Sequence, residues 1–285
     1  MKLMQMSCEN LSLNPLGENV IKKMTKRVCP ICNNDMLSIF GAQILRRYNI
    51  LYFSCDACGF LQTEEPYWLD EAYNSAIASA DTGLVKRNLY LSRMLSTLLF
   101  FEFDHKGKYL DVAGGYGMLT RLMRDVGFDY YWSDKYCENL LARGFEAAAD
   151  SSFTAVTAFE VLEHVPDPLG FLIESMAQAK SRTMIFSTEL FEGTPPKPES
   201  WWYYAFETGQ HISFYQRRTL QVIAEKLALN CYSNGSIHLL TDKKINPTGY
   251  RLLTNPCIGR VLSLVPKFSM ETKTMTDHLD IMGRN

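Results

Sequence analysis

The sequence lacks the long apolar run of a membrane span, because no stretch of about 18 uncharged apolar residues occurs in it. It also lacks a dominant charge, since 29 Lys and Arg stand against 31 Asp and Glu. That balance disfavours nucleic acid as a partner, because such binding depends on a basic surface. The segment Met1–Asn10 has no apolar core of the kind found in secretion signals. We therefore expect a cytoplasmic protein without a membrane span.

Internal repeats and low-complexity tracts are also missing. The composition is that of an ordinary globular protein, with 47% hydrophobic and 21% charged residues in a chain of 285. This length suits one large domain, or one medium domain and a small one. Changes in pattern predict a basic arm over 1–27, a four-cysteine module over 28–64, a helical bridge over 65–106, a main α/β domain over 107–242, and a C-terminal helix and tail over 243–285.

Four of the eight cysteines form two matched pairs, Cys29-x-x-Cys32 and Cys55-x-x-Cys58. Four thiolates in this spacing suit a tetrahedral Zn²⁺ ion. The alternative for such pairs is redox chemistry, but two matched pairs favour a closed structural site. Residues 43–53, between the pairs, alternate like a small hairpin. We therefore predict a zinc-ribbon-like module whose metal ligands are Cys29, Cys32, Cys55 and Cys58.

Strands and helices alternate between about 107 and 190. The β-prone runs are 108–112, 130–134, 153–159 and 183–188. Because segments with helical spacing separate them, this order predicts a Rossmann-like, mostly parallel sheet covered by helices on both faces. The stretch 230–241 contains an Asn-Gly turn and predicts an antiparallel terminal hairpin. Beyond it we expect one helix over about 248–264 and a less ordered end.

A glycine-rich turn follows the first of these strands, in the sequence Asp111-Val112-Ala113-Gly114-Gly115-Tyr116-Gly117. Glycines let the backbone approach a ligand closely, since they have no Cβ. The turn differs from a dinucleotide fingerprint, because Thr120 stands where the last Gly or Ala is needed. Asp111 would repel a pyrophosphate and attract an ammonium group. The next strand ends at Asp134, whose carboxylate can accept both hydroxyls of a ribose.

These residues resemble motif I and the following acidic position of class I S-adenosylmethionine (SAM)-dependent methyltransferases, over about 107–240. The stretch Phe159-Glu160-Val161-Leu162-Glu163-His164-Val165-Pro166-Asp167-Pro168 is similar to a motif of the ubiquinone-type O-methyltransferase branch. The resemblance implies SAM as cofactor, with its methionine part at the glycine loop and its ribose at Asp134. Ala113 replaces the usual first glycine, a mild change if its backbone angles are ordinary. The cofactor-binding residues implied in this way are Asp111, Ala113, Gly114, Gly115, Gly117, Asp134, Asp150 and Phe159.

The sequence departs from that family between Asp134 and Phe153, where few residues are left for the third strand and its loop. We expect this strand to be cut short, with Ala147-Ala148-Ala149-Asp150 as its remnant. In the family this loop meets the adenine, so Asp150 is the one adenine contact that we predict.

Glu160, Glu163 and His164 follow the strand over 153–159, and His211 follows the next strand. Open α/β sheets bind ligands at this edge, so we predict these four residues as the catalytic group. One role for them is a general base that takes a proton from the methyl acceptor. The set also resembles the divalent-metal site of small-RNA 2′-O-methyltransferases and of some ubiquinone-pathway O-methyltransferases, which implies a second metal as an alternative. A third interpretation is a structural loop without chemistry.

The predicted function is transfer of the SAM methyl group to O or C of a small-molecule acceptor, such as a sugar-linked or biosynthetic compound. The segment Trp201-Trp202-Tyr203-Tyr204 is either a lid over that acceptor or packing between the cysteine module and the core. Two other functions remain open. An RNA methyltransferase would bind RNA with steep salt dependence, and an inactive partner module would bind SAM without turnover. No Asn-Pro-Pro-Tyr/Phe sequence follows the strand, which speaks against methylation of a base amino group.

Overall fold

The computed structural model describes residues 26–73 and 81–284, so most of the predicted arm over 1–27 lies outside the described residues. In chain order, the strands are β1 (Lys26–Val28), β2 (Asp35–Ile44), β3 (Tyr48–Ser54), β4 (Leu61–Thr63), β5 (Lys108–Val112), β6 (Asp129–Ser133), β7 (Ala155–Ala158), β8 (Thr183–Ser187), β9 (Ser213–Phe214), β10 (Asn230–Ser233) and β11 (Ile237–Thr241). The helices are α1 (Leu69–Ala72), α2 (Leu84–Glu102), α3 (Met118–Val126), α4 (Pro168–Gln178), α5 (Arg217–Leu227), α6 (Pro247–Leu253), α7 (Pro256–Leu262), α8 (Leu264–Ser269) and α9 (Thr274–Arg284). Within this described part of the chain, no helix is both long and apolar enough to cross a bilayer.

The larger of the two sheets has the strand order β10-β11-β8-β7-β5-β6. Neighbouring strands from β8 to β6 run parallel, while β11 pairs antiparallel with both β8 and β10. All residues of β7 and β8 are buried, as expected of central parallel strands that are covered on both faces. The predicted Rossmann-like sheet with an antiparallel terminal hairpin is confirmed.

Successive residues of β7 point to opposite faces of the sheet and enter two different hydrophobic cores. Ala155 packs in the core formed with α2, α3 and α6, and Val156 packs in the core formed with α4 and α5. A fully buried leucine in either layer, such as Leu99 or Leu172, contributes about 1.5–3 kcal/mol by leaving water. The two layers hold the sheet rigidly, so the loops at its carboxyl edge have fixed starting points.

The third strand of the family pattern is reduced to a single parallel bridge between Trp132 of β6 and Glu146. The Trp132 N–H donates to Phe145 O at 2.9 Å, and the Ala147 N–H donates to Trp132 O at 2.9 Å. The structure thus shows the predicted shortening. The remnant is centred on Glu146, just before the predicted run from Ala147 to Asp150.

The tail contains four helices among the described residues, so the prediction of one helix over about 248–264 is wrong. Asn246 and Asn255 each accept two backbone N–H groups with their side chains, and a proline follows each of them. The residue before a proline avoids the helical region, and the asparagine caps the next helix, so the chain restarts a helix at both places. The prediction of a less ordered end is also wrong. Asp277 of α9 accepts two hydrogen bonds from Arg124, both at 2.7 Å.

The smaller sheet has the order β1-β2-β3-β4-β9 and is antiparallel throughout. The two cysteine pairs lie on the β1–β2 and β3–β4 turns, as the predicted N-terminal module requires. The fifth strand, β9, comes from the second half of the chain, and Gln62 of β4 donates to both Pro166 O and Ser213 Oγ. The cysteine-bearing sheet therefore forms a wall beside the segments that carry Glu163 and His211.

Candidate functional site

The glycine loop links β5 to α3 at the carboxyl edge of the larger sheet. Gly115 has a φ of +53°, and a Cβ built on it would meet no atom within 4 Å. Gly117 has a φ of +83°, and a Cβ on it would come within 2.8 Å of Asn139 Oδ1. Both backbone conformations favour glycine, and of these two residues Gly115 is the one that borders open space. The N-terminus of α3, which attracts carboxylates, begins at the same loop.

Ala113 adopts a φ of +54°, in the left-handed region. The condition under which replacing the glycine would be a mild change, ordinary backbone angles, is therefore not met. An L-residue pays about 1–2 kcal/mol for this conformation. The loop keeps the backbone geometry of a glycine although the glycine is absent, and the resulting strain lies next to the candidate cofactor site.

Asp111 lies beneath the loop and is 3% exposed. Its Oδ1 accepts from Thr157 Oγ1 at 2.8 Å, and Thr157 in turn accepts from the Tyr130 hydroxyl at 2.8 Å. A Cβ on Gly114 would come within 2.9 Å of Asp111 Oδ2, so the carboxyl group supports the loop from behind. Burial raises the pKa of Asp111 to about 7. A cation bound near Gly114 would favour the ionised form of the Asp111 carboxyl group.

Asp134 ties the glycine loop to the end of β6. Its Oδ2 accepts from the Gly115 N–H at 2.9 Å, and its Oδ1 accepts from the N–H groups of Tyr136 at 2.7 Å and Cys137 at 2.8 Å. Because a carboxylate oxygen accepts more than one hydrogen bond, Asp134 is oriented and still able to bind hydroxyl groups. The Trp132 indole N–H donates to Gly115 O at 2.8 Å. Sequence reasoning missed this support, although a large aromatic residue so near the strand end was a signal for it.

The two remaining predicted cofactor residues, Phe159 and Asp150, lie in different parts of the structure. Phe159 follows β7, which pairs with β5, so Phe159 lies at the same sheet edge as the loop and packs, half-buried, on the α2 layer. Asp150 is exposed, and its backbone carbonyl accepts from Lys180 Nζ at 3.1 Å. Within residues 81–284 no hydrogen bond or ion pair joins Asp150 to the glycine loop, so the adenine role stays a prediction.

Glu160 is held apart from the other predicted catalytic residues. Its φ is +57°, and its Oε1 accepts from Ser187 Oγ at 2.6 Å. Its Oε2 lies 3.8 Å from Arg87 Nε, and Arg87 also donates twice to Asp81. No helical turn joins Glu160 to Glu163 and His164, because the 3₁₀ turn that carries the latter two begins only at Leu162. Glu160 therefore faces the start of α2 rather than a shared catalytic point.

Glu163, His164 and His211 come together, since one potential ligand atom from each lies within 4.8 Å of the others. Glu163 and His164 belong to the 3₁₀ turn, and His211 lies on the chain that enters β9. The Ile212 N–H donates to Glu163 O at 2.8 Å, which holds the two segments side by side. The structure thus assembles three of the four predicted catalytic residues.

The two imidazole rings are oriented by backbone carbonyls. Nδ1 of His164 donates to Gln210 O at 3.1 Å, and Nδ1 of His211 donates to Tyr203 O at 2.7 Å, because a carbonyl oxygen can only accept. Burial lowers the pKa of each histidine to about 4. Both rings are therefore neutral at pH 7, and each Nε2 keeps a lone pair.

Glu163 is 0% exposed, and neither of its carboxylate oxygens has a hydrogen-bond partner among the described residues. Burial, together with the negative charge of Glu160, raises the pKa of Glu163 to about 7, although His211 opposes the rise. An unpaired buried carboxylate is costly, and this one faces two nitrogen lone pairs. The carboxylate and the two imidazole nitrogens can only accept hydrogen bonds here. They therefore favour the binding of a proton, a cation or the hydroxyl group of a ligand.

The aromatic segment over 201–204 packs largely inside the protein. Tyr203 and Tyr204 are buried, and Tyr204 meets Tyr52 of β3 edge to face at 5.6 Å. In contrast, Trp202 is 75% exposed. The segment therefore joins the cysteine-bearing sheet to the core, and the lid interpretation is reduced to Trp202.

The four paired cysteines form a second cluster, with all Sγ atoms within 4.8 Å of one another. Sγ of Cys29 lies 3.6 Å from that of Cys58, and Sγ of Cys32 lies 3.4 Å from that of Cys55. The corners of a tetrahedral site with Zn–S bonds of about 2.3 Å are about 3.8 Å apart. The cluster therefore has nearly the dimensions of a zinc site.

The two turns that carry these cysteines repeat one backbone geometry. The Asn33 N–H donates to Cys29 O at 2.9 Å, and the Gly59 N–H donates to Cys55 O at 2.8 Å. Asn33 and Gly59 have φ values of +63° and +76°. Each turn thus presents its two thiols in the same way, as a four-thiolate metal site requires.

The solved structures that match part of this chain include the following three, all at low sequence identity. TnmH is 13% identical with a TM-score of 0.40, and the match covers 62% of this chain and 61% of TnmH. Magnesium protoporphyrin IX methyltransferase from Synechocystis PCC 6803 with bound SAH is 11% identical with a TM-score of 0.38, covering 61% and 94%. Human N-acetylserotonin methyltransferase in complex with SAM is 11% identical with a TM-score of 0.40, covering 62% and 66%. This chain thus spans about three fifths of the length of TnmH.

The comparison with curated proteins gave no significant match. A family model described as a methyltransferase domain matches residues 86–234. The matched range begins in α2, includes the glycine loop and the Glu163–His164–His211 cluster, and ends in the β10–β11 turn. Because it covers more than half of the 285 residues, the protein belongs to the methyltransferase domain family.

Proposed function

We propose that the protein is a SAM-dependent methyltransferase of the ubiquinone-type branch that methylates O or C of a small-molecule acceptor. The observation that carries the proposal is the Glu163–His164–His211 cluster. Glu163 and His164 follow β7, whose carboxyl end lies at the same sheet edge as the glycine loop. A proton acceptor beside a cofactor cradle is the arrangement that methyl transfer to a hydroxyl or an acidic carbon needs.

The residues around the glycine loop fit a SAM molecule. The open space at Gly115 and the N-terminus of α3 suit the carboxylate of its methionine part. The carboxyl group of Asp111 beneath Gly114 favours its ammonium group. Asp134, oriented by backbone N–H groups, is placed to accept the ribose hydroxyls. When bound, the cofactor supplies an electrophilic methyl group on its sulfonium sulfur.

The cluster supplies a path for the acceptor proton. The neutral Nε2 atoms of His164 and His211 can accept a hydrogen bond from the acceptor and so orient it. Their pKa values of about 4 make them weak bases, whereas the pKa of Glu163, about 7, suits proton uptake near neutral pH. As the acceptor atom gains the methyl group and loses its proton, the proton passes to the cluster and ends on Glu163.

A divalent cation is the second candidate occupant of the same cluster. One carboxylate and two imidazoles within 4.8 Å suit a borderline divalent ion. Glu160, engaged with Ser187 and Arg87, does not complete this set. A cation held by three protein ligands keeps open positions for an acceptor oxygen, whose pKa it would lower.

For the four-cysteine cluster we infer a structural Zn²⁺ ion, supported by the sulfur distances and the matched turns. Four thiolates fill a tetrahedral ion and leave no position for substrate. The module over 28–64 would then stabilise the wall made by β4 and β9, beside His211. The remaining units are proposed as the helical bridge over 65–106, the SAM-binding domain over 107–242 and the C-terminal segment over 243–285.

A small molecule suits this site better than RNA. The formal net charge is −2. Arg87, which lies beside Glu160, forms an ion pair with Asp81 at 2.7 Å. A cation that already forms an ion pair contributes little to the binding of a phosphate backbone. The Tyr73 ring lies edge to face with His164 at 6.0 Å and gives an aromatic wall against which a sugar or an aromatic acceptor can pack.

Calorimetry with S-adenosylhomocysteine tests the cofactor site. Wild-type protein should bind it, and Asp134→Ala should lose about 1.5–3 kcal/mol of binding free energy, since hydrogen bonds to a charged group are removed. Asp280→Ala is the matched control, because Asp280 is exposed on α9 and is not one of the predicted cofactor-binding residues. Absence of binding to the wild type, or equal affinity in the wild type and Asp134→Ala, would contradict the proposal.

Methyl transfer from isotopically labelled SAM tests the acceptor class. Phenols, sugars and total RNA are offered in parallel to the same protein. Label should appear in a small molecule, in O-methyl or C-methyl linkage. Label found in RNA would instead support an RNA methyltransferase, and cofactor binding without any transfer would support an inactive partner module.

A further inference from the structure

A cleft of about 230 Å³ lies between α2 and the α7–α8 segment, outside the site described above. Three cationic side chains and three serines line it: Arg93, Arg260, Lys267, Ser92, Ser96 and Ser263. No acidic residue contributes to its wall. In a chain with 31 acidic residues, a cleft with only positive charge is a distinct chemical environment.

The sequence builds this cleft from two helical faces. Arg260, Ser263 and Lys267 are three and four residues apart, which places them on one face of a helical run. Ser263 joins α7 to α8 with helical angles, φ −65° and ψ −13°, so the face continues across the junction. Ser92 and Ser96 of α2 are one turn apart and form the opposite wall.

The two walls are held together at a close helix crossing. Thr97 Oγ1 donates to Gly259 O at 3.4 Å, and a Cβ on Gly259 would come within 2.9 Å of Met94 Sδ. This crossing lies next to Arg260, so the cleft opens directly beside a fixed contact. Ser96 at its floor is 1% exposed. The cleft is therefore a built feature of the helical layer rather than a gap between mobile side chains.

The cations of the cleft form no ion pair with the described residues, in contrast to the two arginines of the neighbouring α3. Across residues 26–73 and 81–284, no carboxylate forms an ion pair with Arg93, Arg260 or Lys267. Arg121 and Arg124, on the neighbouring α3, both pair with carboxylates. Like charges that face one cleft repel each other, and a bound anion would remove that cost.

We propose that this cleft binds the phosphate group of a phosphorylated ligand. Arginine forks match phosphate oxygens with two parallel hydrogen bonds, and a lysine adds a point charge. The serine hydroxyls now donate to carbonyls three residues back on their own helix and can rotate towards a ligand oxygen. A volume of about 230 Å³ is far more than a single water needs.

The cleft is separate from the proposed cofactor site. Val126, which also lines it, is the last residue of α3. The other end of that helix borders the glycine loop, about 12 Å away along the helix axis at about 1.5 Å per residue. The cleft and the glycine loop therefore lie at opposite ends of α3.

The same phosphate chemistry has two sources, a soluble phosphorylated metabolite and the head group of an anionic lipid. Leu264 at the rim and Phe268 one turn further are 47% and 81% exposed. Apolar side chains beside a cationic cleft suit a lipid surface, whereas a soluble ligand would use the cleft alone. The two sources therefore require separate measurements.

Calorimetry with inorganic pyrophosphate tests the cleft on the full chain. Arg93→Gln and Arg260→Gln should each weaken binding by about tenfold or more, because each removes charge-assisted hydrogen bonds. Both side chains are exposed, so neither change should prevent folding. Lys244→Gln, an exposed cation outside the cleft, is the matched control and should bind pyrophosphate like the wild type. S-adenosylhomocysteine affinity should be unchanged in all three variants.

Co-sedimentation with vesicles separates the two sources. Phosphatidylcholine vesicles with phosphatidylglycerol are compared with phosphatidylcholine alone. If the protein sediments with the anionic vesicles, and if both pyrophosphate and the Arg260→Gln change prevent this, the ligand is a lipid head group. Pyrophosphate binding without sedimentation identifies a soluble phosphate ligand. Failure of the wild type to bind pyrophosphate at millimolar concentration, or equal weakening in Lys244→Gln, would overturn the proposal.

Discussion

The imidazole rings of His164 and His211 lie edge to face, with their centroids 4.8 Å apart. Each ring donates its Nδ1 proton to a backbone carbonyl, so the Nε2 lone pairs are left for the space that they share with Glu163. Both rings are neutral at pH 7, since burial lowers the pKa of each to about 4. The charge of the cluster near neutral pH is therefore set by Glu163.

Glu163→Gln should remove the proton acceptor from the site. Because the pKa of Glu163 is about 7, methyl transfer by the wild type should rise as the pH increases through 7. The variant should lose this rise and about 10²–10⁴-fold in rate, the usual worth of a general base. The measurement is kcat/KM against pH. Glu174→Gln, an exposed change on α4, should retain the wild-type profile, and an unaltered profile in Glu163→Gln would refute the assignment.

The same residue predicts how stability changes with pH. The folded pKa of Glu163, about 7, is above the unfolded value of about 4.3, so the folded state holds the proton more tightly. Its contribution is fully present below the unfolded pKa and is lost as the pH rises to about 7. Thermal unfolding of Glu163→Gln should therefore be less sensitive to pH over this window. Asp111, whose pKa is also about 7, should account for part of the slope that remains.

Metal titration distinguishes the two roles of the cluster. Mg²⁺ and Mn²⁺ are the ions to use, because the four thiolates of the cysteine cluster would take up Zn²⁺ or Co²⁺ themselves. If the Glu163 cluster holds a cation, Mg²⁺ or Mn²⁺ should raise the melting temperature of the wild type by mass action. His211→Ala should lose that response while Cys257→Ser retains it. A melting temperature that neither ion changes would favour the proton-acceptor role.

Ala113→Gly should stabilise the protein. The left-handed backbone at this position costs an alanine about 1–2 kcal/mol, and the greater chain entropy of glycine offsets about 0.5–1 kcal/mol of the gain. A net gain of about 0.5–1 kcal/mol is expected, measured by denaturant unfolding. Ala224→Gly, in the interior of α5, should act in the opposite direction, because glycine in a helix interior costs about 1 kcal/mol. Destabilisation by Ala113→Gly would show that the left-handed conformation is not present.

Cys58→Ser should abolish zinc binding. Metal analysis of the wild type should find about one Zn²⁺ per chain, and the exposed Cys257→Ser variant should match it. Cys58 O accepts from Thr219 Oγ1 at 2.9 Å, so the cluster is also attached to α5. Because metal binding is coupled to folding, hydrogen exchange should speed up over 28–64 and in β9. Equal zinc content in the two cysteine variants would contradict the metal assignment.

Asp277→Asn should loosen the C-terminal helix. Burial alone raises the pKa of Asp277, but hydrogen bonds from Arg124 and Arg121 outweigh it and hold the pKa below its usual range. The stability from this pairing is present above the unfolded pKa of about 3.9 and is lost as the pH falls through the lower folded value. Breaking it should cost about 3 kcal/mol, since Arg124 is buried. Unfolding of the exposed Asp280→Asn variant should match the wild type, and equal stability of both variants would contradict the prediction.

The sequence was most informative where the pattern is local. Alternating strands and helices predicted the parallel sheet, and the spacing of the cysteine pairs predicted the two matched turns. The shortened third strand could be inferred from chain length alone, because few residues separate Asp134 from Phe153. The helices of the tail also had a local signal, the Asn-Pro pairs that begin at Asn246 and Asn255, and the prediction of a single helix overlooked it.

The arrangement of the predicted catalytic residues could not be predicted from the local sequence pattern. Spacing allowed Glu160, Glu163 and His164 to share one face, but the left-handed backbone at Glu160 turns its carboxylate towards Ser187. A positive φ at a glutamate has no signature in composition or periodicity. The same holds for Ala113, whose conformation is imposed by the loop around it.

By itself, the sequence determined the elements, the glycine loop and the two thiol turns, because each depends on residues that are neighbours in the chain. Only the tertiary structure decided that His211 meets Glu163 and His164, since the pairing of β9 with β4 brings distant segments together. It also decided that Glu163 is buried without a partner, and burial is what raises its pKa to about 7. Contacts between distant residues and the solvent that they exclude depend on the order of strands and layers, which a local pattern does not contain.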